Sequence, residues 1–175
     1  MIERFMAWLA KLLKWHQPQN EPEMEYIPIP PPEPPISQNL APQRVYEAAK
    51  ANLGKHITLD SDVPEEVGCV EAVSYVLKEA GYTLPNKGIA GVNALIAWME
   101  KQGFKEITTS SVGCIITAHS PDVNNPNFAH AGVCLKYGIA SNTSANGRFT
   151  QNYSYSGWLR YFSVHGSQTR YFEPQ

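Results

Sequence analysis

Cysteine is scarce in this sequence, and long apolar runs are missing. There are 3 cysteines among 175 residues, an odd and small number that does not form the disulfide framework of a small secreted domain. The longest uncharged run near the N-terminus, residues 5–10, covers six residues, far below the roughly 20 that span a bilayer. Glycine-rich phosphate loops, paired-cysteine zinc motifs and internal repeats are also missing. These absences favour a reducing compartment or a functional thiol, and they argue against nucleotide-binding and structural zinc sites.

An excess of positive charge is missing as well. The formal net charge is −2 at pH 7, and residues 43–175 carry eleven acidic and eleven basic side chains. A protein that follows the phosphates of DNA or RNA shows a basic stripe. The sequence therefore predicts no nucleic-acid partner.

Proline, by contrast, is abundant in one window. Nine of the 14 prolines lie in residues 18–42, where each removes a backbone donor and restricts the residue before it. We therefore predict three parts: an N-terminal helix at 1–17, a proline-rich linker at 18–42 and a folded body at 43–175. The linker is interpreted as a stiff spacer, with an SH3-type ligand as the alternative.

Residues 1–17 have the pattern of an amphipathic helix. Apolar side chains recur at helical spacing, and a narrow charged strip contains Arg4, Lys11 and Lys14. The partner of this helix is open: a membrane surface, in which such a helix can lie, a partner protein or a neighbouring copy of the chain. The segment lacks the longer apolar core and the cleavage site of a signal peptide.

The body begins with helical spacing and then changes to alternation. The pattern predicts helices over 43–53, 70–80 and 89–102, strands over 112–117, 131–137, 148–153 and 169–172, and a short helix at 156–162. Helices followed by strands indicate an α+β body in which N-terminal helices pack on an antiparallel β-sheet.

Cys69 follows Gly68 and opens the second of these helices. The partial positive charge of a helix N-terminus stabilises a thiolate and lowers its pKa, which makes Cys69 a candidate nucleophile. The alternative is a buried core cysteine, which is what we predict for Cys114 and Cys134 in their apolar strand runs. Glu71 is expected to be a first-turn acid, favoured by the helix dipole, that points elsewhere.

His130 lies where a loop enters an apolar strand, from which its ring can accept the thiol proton. For such a residue taken alone, a structural histidine is the commoner case. Twelve residues later, Asn142 enters the next strand, and its amide oxygen could accept the imidazole N–H and fix the tautomer. Asn146 and Asn152 are rivals for this third position.

These residues resemble the papain-like cell-wall peptidases of the NlpC type, with the CHAP amidases as a near second. The resemblance rests on residues 68–73 at a helix start, residues 130–133 on a strand, and a polar residue twelve positions after the histidine. It covers roughly residues 43–153. It implies a papain-like fold with Cys69, His130 and Asn142 as catalytic residues and with no metal or cofactor.

The resemblance also implies a function. Such a protein would be a cysteine peptidase or amidase that cleaves an amide bond in the peptide stem of peptidoglycan, as an endolysin or a virion-associated lysin of a phage or prophage. It would remain in the host cytoplasm or the virion before lysis and act in the periplasm or cell wall. The usual Asp-Cys-Ser-Gly is here Gly68-Cys69-Val70-Glu71. The alternative is therefore a non-catalytic, anchored virion or wall-binding module with a papain-like body.

Overall fold

The computed structural model describes residues 40–59, 68–86, 88–89, 91–120, 129–142 and 147–175. The predicted helix at 1–17, the linker up to residue 39, and Asn146 lie outside these residues. The described helices are α1 (Leu40–Ala51), α2 (Cys69–Glu79), α3 (Val92–Lys101) and α4 (Tyr155–Val164). The described strands are β1 (Lys105–Ile107), β2 (Ile115–His119), β3 (His130–Leu135), β4 (Gly138–Asn142), β5 (Phe149–Tyr153) and β6 (Gln168–Glu173). None of these helices is long and apolar enough to cross a membrane.

The six strands form one antiparallel sheet in the order β1-β6-β2-β3-β4-β5. Strands β2 and β3 pair with Ile115 opposite Val133. Strand β6 returns between β1 and β2, so the last strand in the sequence is an interior one. This architecture confirms the prediction of an α+β body with an antiparallel sheet.

Helices cover both faces of the sheet. Because side chains alternate along a strand, Ile115 and Val133 belong to the core that contains side chains of α1, α2 and α3. Ile116 and Cys134 belong to a second core on the opposite face, beneath Trp158 of α4. The sheet is therefore a middle layer, and successive residues of one strand pack into two separate hydrophobic cores.

Helix α1 begins earlier than predicted. We expected the proline-rich segment to continue through Pro42, yet the helix starts at Leu40 and Pro42 lies within its first turn. The N–H groups of the first turn have no partner inside a helix, so a proline there removes no helical hydrogen bond. The start of the helix is buried, at Ala41 and Pro42, so residues 40–42 belong to the packed body rather than to the linker.

Gly113 explains why β2 starts at Ile115 rather than at residue 112. The Gly113 N–H donates to the Cys134 carbonyl at 2.8 Å, and the Cys134 N–H donates to the Cys114 carbonyl at 2.9 Å. Two residues thus face one, which is a β-bulge, and Gly113 adopts φ +83°. A Cβ here would overlap the Pro42 carbonyl. Glycine is therefore required both by the backbone angle and by the close approach of α1.

Candidate active site

Cys69 is the first residue of α2, as the sequence predicts. The helix starts without a side-chain cap, and the Ala72 N–H donates to the Gly68 carbonyl at 2.9 Å. The Cys69 side chain is 8% exposed, and the backbone N–H of Ala131 hydrogen-bonds its sulfur. Since Ala131 follows His130 directly, the thiol lies beside the start of β3.

The predicted lowering of the Cys69 pKa is wrong. Burial raises the pKa of the thiol, and the hydrogen bonds from backbone N–H groups at Ala131 and at the helix start lower it by a smaller amount. The free-energy cost of removing the thiolate from water is larger here than the stabilisation that the helix N-terminus provides. Cys69 is consequently a neutral thiol at neutral pH, and it requires a base to become a nucleophile.

His130 is the first residue of β3, and its ring lies on the face of the sheet covered by α4, whereas Cys69 belongs to the core on the face covered by α2. Within the described residues, no hydrogen bond joins the two side chains, so the structure does not bring the predicted pair into direct contact. The centroid of the imidazole ring is 5.5 Å from that of Trp158, 5.8 Å from that of Phe162 and 5.9 Å from that of Tyr153. Burial lowers the pKa of the imidazole to about 4, since a charged ring would lose its hydration. His130 is thus neutral at neutral pH and can accept a proton.

The hydrogen-bond partner of His130 is Ser141, not Asn142. The imidazole Nε2 lies 3.0 Å from the Ser141 Oγ, and β-alternation turns Asn142 to the other face, which Ala140 shares with α2. The Ser141 Oγ also lies 2.9 Å from the Asn152 Oδ1. Asn152, one of the alternatives for the third position, therefore contacts Ser141, and Ser141 in turn contacts the His130 ring.

The Asn142 carbonyl, at the end of this network away from His130, determines the direction of each hydrogen bond. The Asn142 carbonyl can only accept, so the Asn152 amide nitrogen donates to it at 3.4 Å and the amide oxygen faces Ser141. Ser141 has one proton, which goes to the Asn152 Oδ1 or to the Asn142 carbonyl at 3.3 Å. In either case the Ser141 oxygen accepts from the His130 Nε2–H. The Nδ1 nitrogen then carries the lone pair and can accept a proton.

Sequence reasoning missed the role of Ser141 and the burial of Glu71. Ser141 is fully buried, and only the β3–β4 register reveals that it shares a face with His130. Glu71 is a first-turn acid, as expected, but it is 5% exposed, and its Oε2 accepts the Leu59 N–H at 2.8 Å. It therefore ties the helix that carries Cys69 to the segment at Leu59.

The remaining cysteines are core residues. Cys114 and Cys134 are fully buried and free, which confirms the prediction for both. Burial raises the pKa of Cys134, and its neighbour Cys114 raises it further. Of the three thiols, Cys69 alone lies at a helix start beside a histidine-bearing strand.

Comparison with known proteins identifies no family: no family model matches the chain, and no curated protein matches its sequence.

Proposed function

We propose that this protein is a papain-like cysteine peptidase of the NlpC type that hydrolyses an amide bond in the peptide stem of peptidoglycan, as an endolysin or a virion-associated lysin. One observation carries the proposal. The Cys69 thiol, at the first residue of a helix, accepts a hydrogen bond from the backbone N–H of Ala131, which follows His130 in β3, and Ser141 hydrogen-bonds the His130 Nε2 so that Nδ1 keeps the lone pair. Proton transfer requires the ring to approach the thiol around the start of β3.

The reaction would proceed through a thioester. The His130 Nδ1 takes the proton of the Cys69 thiol while the sulfur attacks the substrate carbonyl, and backbone N–H groups at the start of α2 stabilise the oxyanion. The protonated imidazole then gives its proton to the leaving amine, and the C–N bond breaks. Water, deprotonated by the same nitrogen, hydrolyses the thioester and restores the thiol. No metal or cofactor takes part.

The pKa directions decide when the proton moves. The thiol pKa is raised by burial and the imidazole pKa is lowered to about 4 by burial, so a thiolate–imidazolium pair is not the resting state. Proton transfer must therefore accompany the attack on the carbonyl, when negative charge passes from sulfur to an oxygen that the helix start can stabilise. In the resting enzyme the thiol and the imidazole would both be neutral, and the imidazole would act as a general base during the attack.

Replacing the nucleophile tests the function. Cys69→Ala should abolish the release of soluble fragments from purified cell walls and leave the far-UV circular dichroism unchanged. Cys114→Ala, which also removes a buried thiol, is the matched control and should retain activity. Mass spectrometry of the released fragments identifies the bond that is cut. Undiminished hydrolysis by Cys69→Ala would contradict the proposal.

The burial of Cys69 favours a second candidate, a non-catalytic wall-binding module anchored through residues 1–17. A thiol with 8% exposure and a raised pKa is also what a structural cysteine would show. Alkylation by iodoacetamide separates the two candidates. An active-site Cys69 should react in the folded protein well before Cys114 and Cys134, whereas equally slow reaction of all three, with retained binding to cell walls, would favour the module.

A further inference from the structure

Cys114, the residue before β2, lies directly opposite Cys134 of β3. The strand register that pairs Ile115 with Val133 continues to these two residues. A backbone hydrogen bond also joins them, because the Cys134 N–H donates to the Cys114 carbonyl at 2.9 Å. Residues opposed in this way have Cα atoms about 5.5 Å apart. That separation falls within the range of about 4.4–6.8 Å that a disulfide bond bridges.

The two side chains also share one face of the sheet. Both belong to the core beneath Trp158 and are fully buried, and their thiols are hydrogen-bonded to each other. Cys69, the third thiol of the chain, belongs to the core on the opposite face. The sheet therefore separates Cys69 from the pair, and Cys114 and Cys134 can be joined without moving a strand.

We propose that Cys114 and Cys134 form a disulfide bond when the chain folds in an oxidising environment, with a small-molecule disulfide such as oxidised glutathione as the oxidant. The two thiols lose their protons and one electron each, and a bond forms between their sulfur atoms. The disulfide bond of the oxidant takes up the two electrons and both protons, breaks, and leaves as two thiols. Because the pair is fully buried in the folded protein, the exchange takes place during folding, before α4 covers this face.

The bond links β2 to β3 and closes a loop of about 20 residues, which restricts the unfolded chain and so stabilises the folded one. It also leaves Cys69 as the one free thiol, in an environment where unpaired thiols become oxidised. The inference does not depend on the proposed function, because neither Cys114 nor Cys134 takes part in the proposed reaction.

Oxidative refolding of the full chain tests the bond. The protein is refolded from urea in a mixture of oxidised and reduced glutathione, its free thiols are alkylated, and peptide mapping by mass spectrometry identifies the paired residues. We expect the protein to lose the mass of two hydrogen atoms, one peptide pair to be linked through Cys114 and Cys134, and Cys69 alone to be alkylated. Free thiols at both positions, or a mixture of pairings that includes Cys69, would overturn the proposal.

Stability provides a second readout. The urea midpoint of the oxidised protein should lie about 1–2 M above that of the reduced protein. Cys69→Ala is the matched control and should show the same increase, whereas Cys134→Ala should show none. An equal increase in Cys134→Ala would contradict a bond at this pair, and if that variant does not refold, the peptide map of the wild type decides the question by itself.

Discussion

Acid should destabilise this protein through His130, and the size of the effect follows from its surroundings. The ring lies among Tyr153, Trp158 and Phe162, and its hydrogen-bond partner is the Ser141 hydroxyl. No described carboxylate faces it, so none of the described groups compensates a positive charge there. Folding therefore excludes the proton that the unfolded chain binds readily.

The magnitude comes from the two pKa values. The imidazole titrates at 6.5 ordinarily and at about 4 in the folded protein. The unfolded state binds more protons between these values, so the stabilising contribution is complete above pH 6.5 and decreases as pH falls towards 4. Between about pH 7 and about pH 4.5 the free energy of unfolding should decrease by about 2.4 kcal/mol through this group, and by about 2 kcal/mol once the partial exposure of the ring is allowed for.

Urea unfolding of the wild type and of His130→Gln measures this contribution. Other groups also titrate in this range, including His119, whose pKa burial lowers, and Glu106, whose pKa Arg170 lowers. They are common to both proteins and cancel in the difference. We expect the stability difference between wild type and variant to shrink by about 2 kcal/mol from about pH 7 to about pH 4.5. A difference that stays constant with pH would refute a neutral, buried His130.

Two further substitutions test the site and the fold. Ser141→Ala leaves the His130 Nε2–H without its partner, so kcat should fall at least about tenfold and stability by about 1–3 kcal/mol; a smaller loss of activity than in Asn142→Ala would contradict the assignment of Ser141. Gly113→Ala should cost about 3 kcal/mol or more in urea unfolding, because its Cβ overlaps the Pro42 carbonyl. Gly54→Ala, at the same φ of +83° but with open space around it, should cost only about 1 kcal/mol; equal losses would show that backbone angle alone governs both.

The parts of the fold that are specified locally could be predicted from the sequence. Helix α2 has an apolar stripe and a glycine stop at Gly81, and both act within a few residues of the helix itself. Strand β1 has only three residues, too few for a period, and its partner β6 lies more than 60 residues away along the chain. No local pattern encodes that pairing.

The site shows the same division. Cys69 and His130 were predicted from the ends of a helix and a strand, which the sequence marks directly. To choose Ser141 over Asn142, one must know which residues of β4 share a face with His130 of β3, and a register shift of one residue would exchange the two. The direction of the Cys69 pKa depends on how deeply neighbouring elements bury the sulfur, which the helix start alone does not determine.

The position of β6 between β1 and β2 has a consequence for how the protein is made. Strand β1 pairs with β6, and β2 has β6 as one of its two neighbours, so a nascent chain that lacks residues 168–173 leaves β1 unpaired and one edge of β2 open. The strand that carries His130 pairs with β2. The ribosome must therefore synthesise these residues before the sheet can close, and we expect the site to be assembled after translation of β6 rather than as each element emerges.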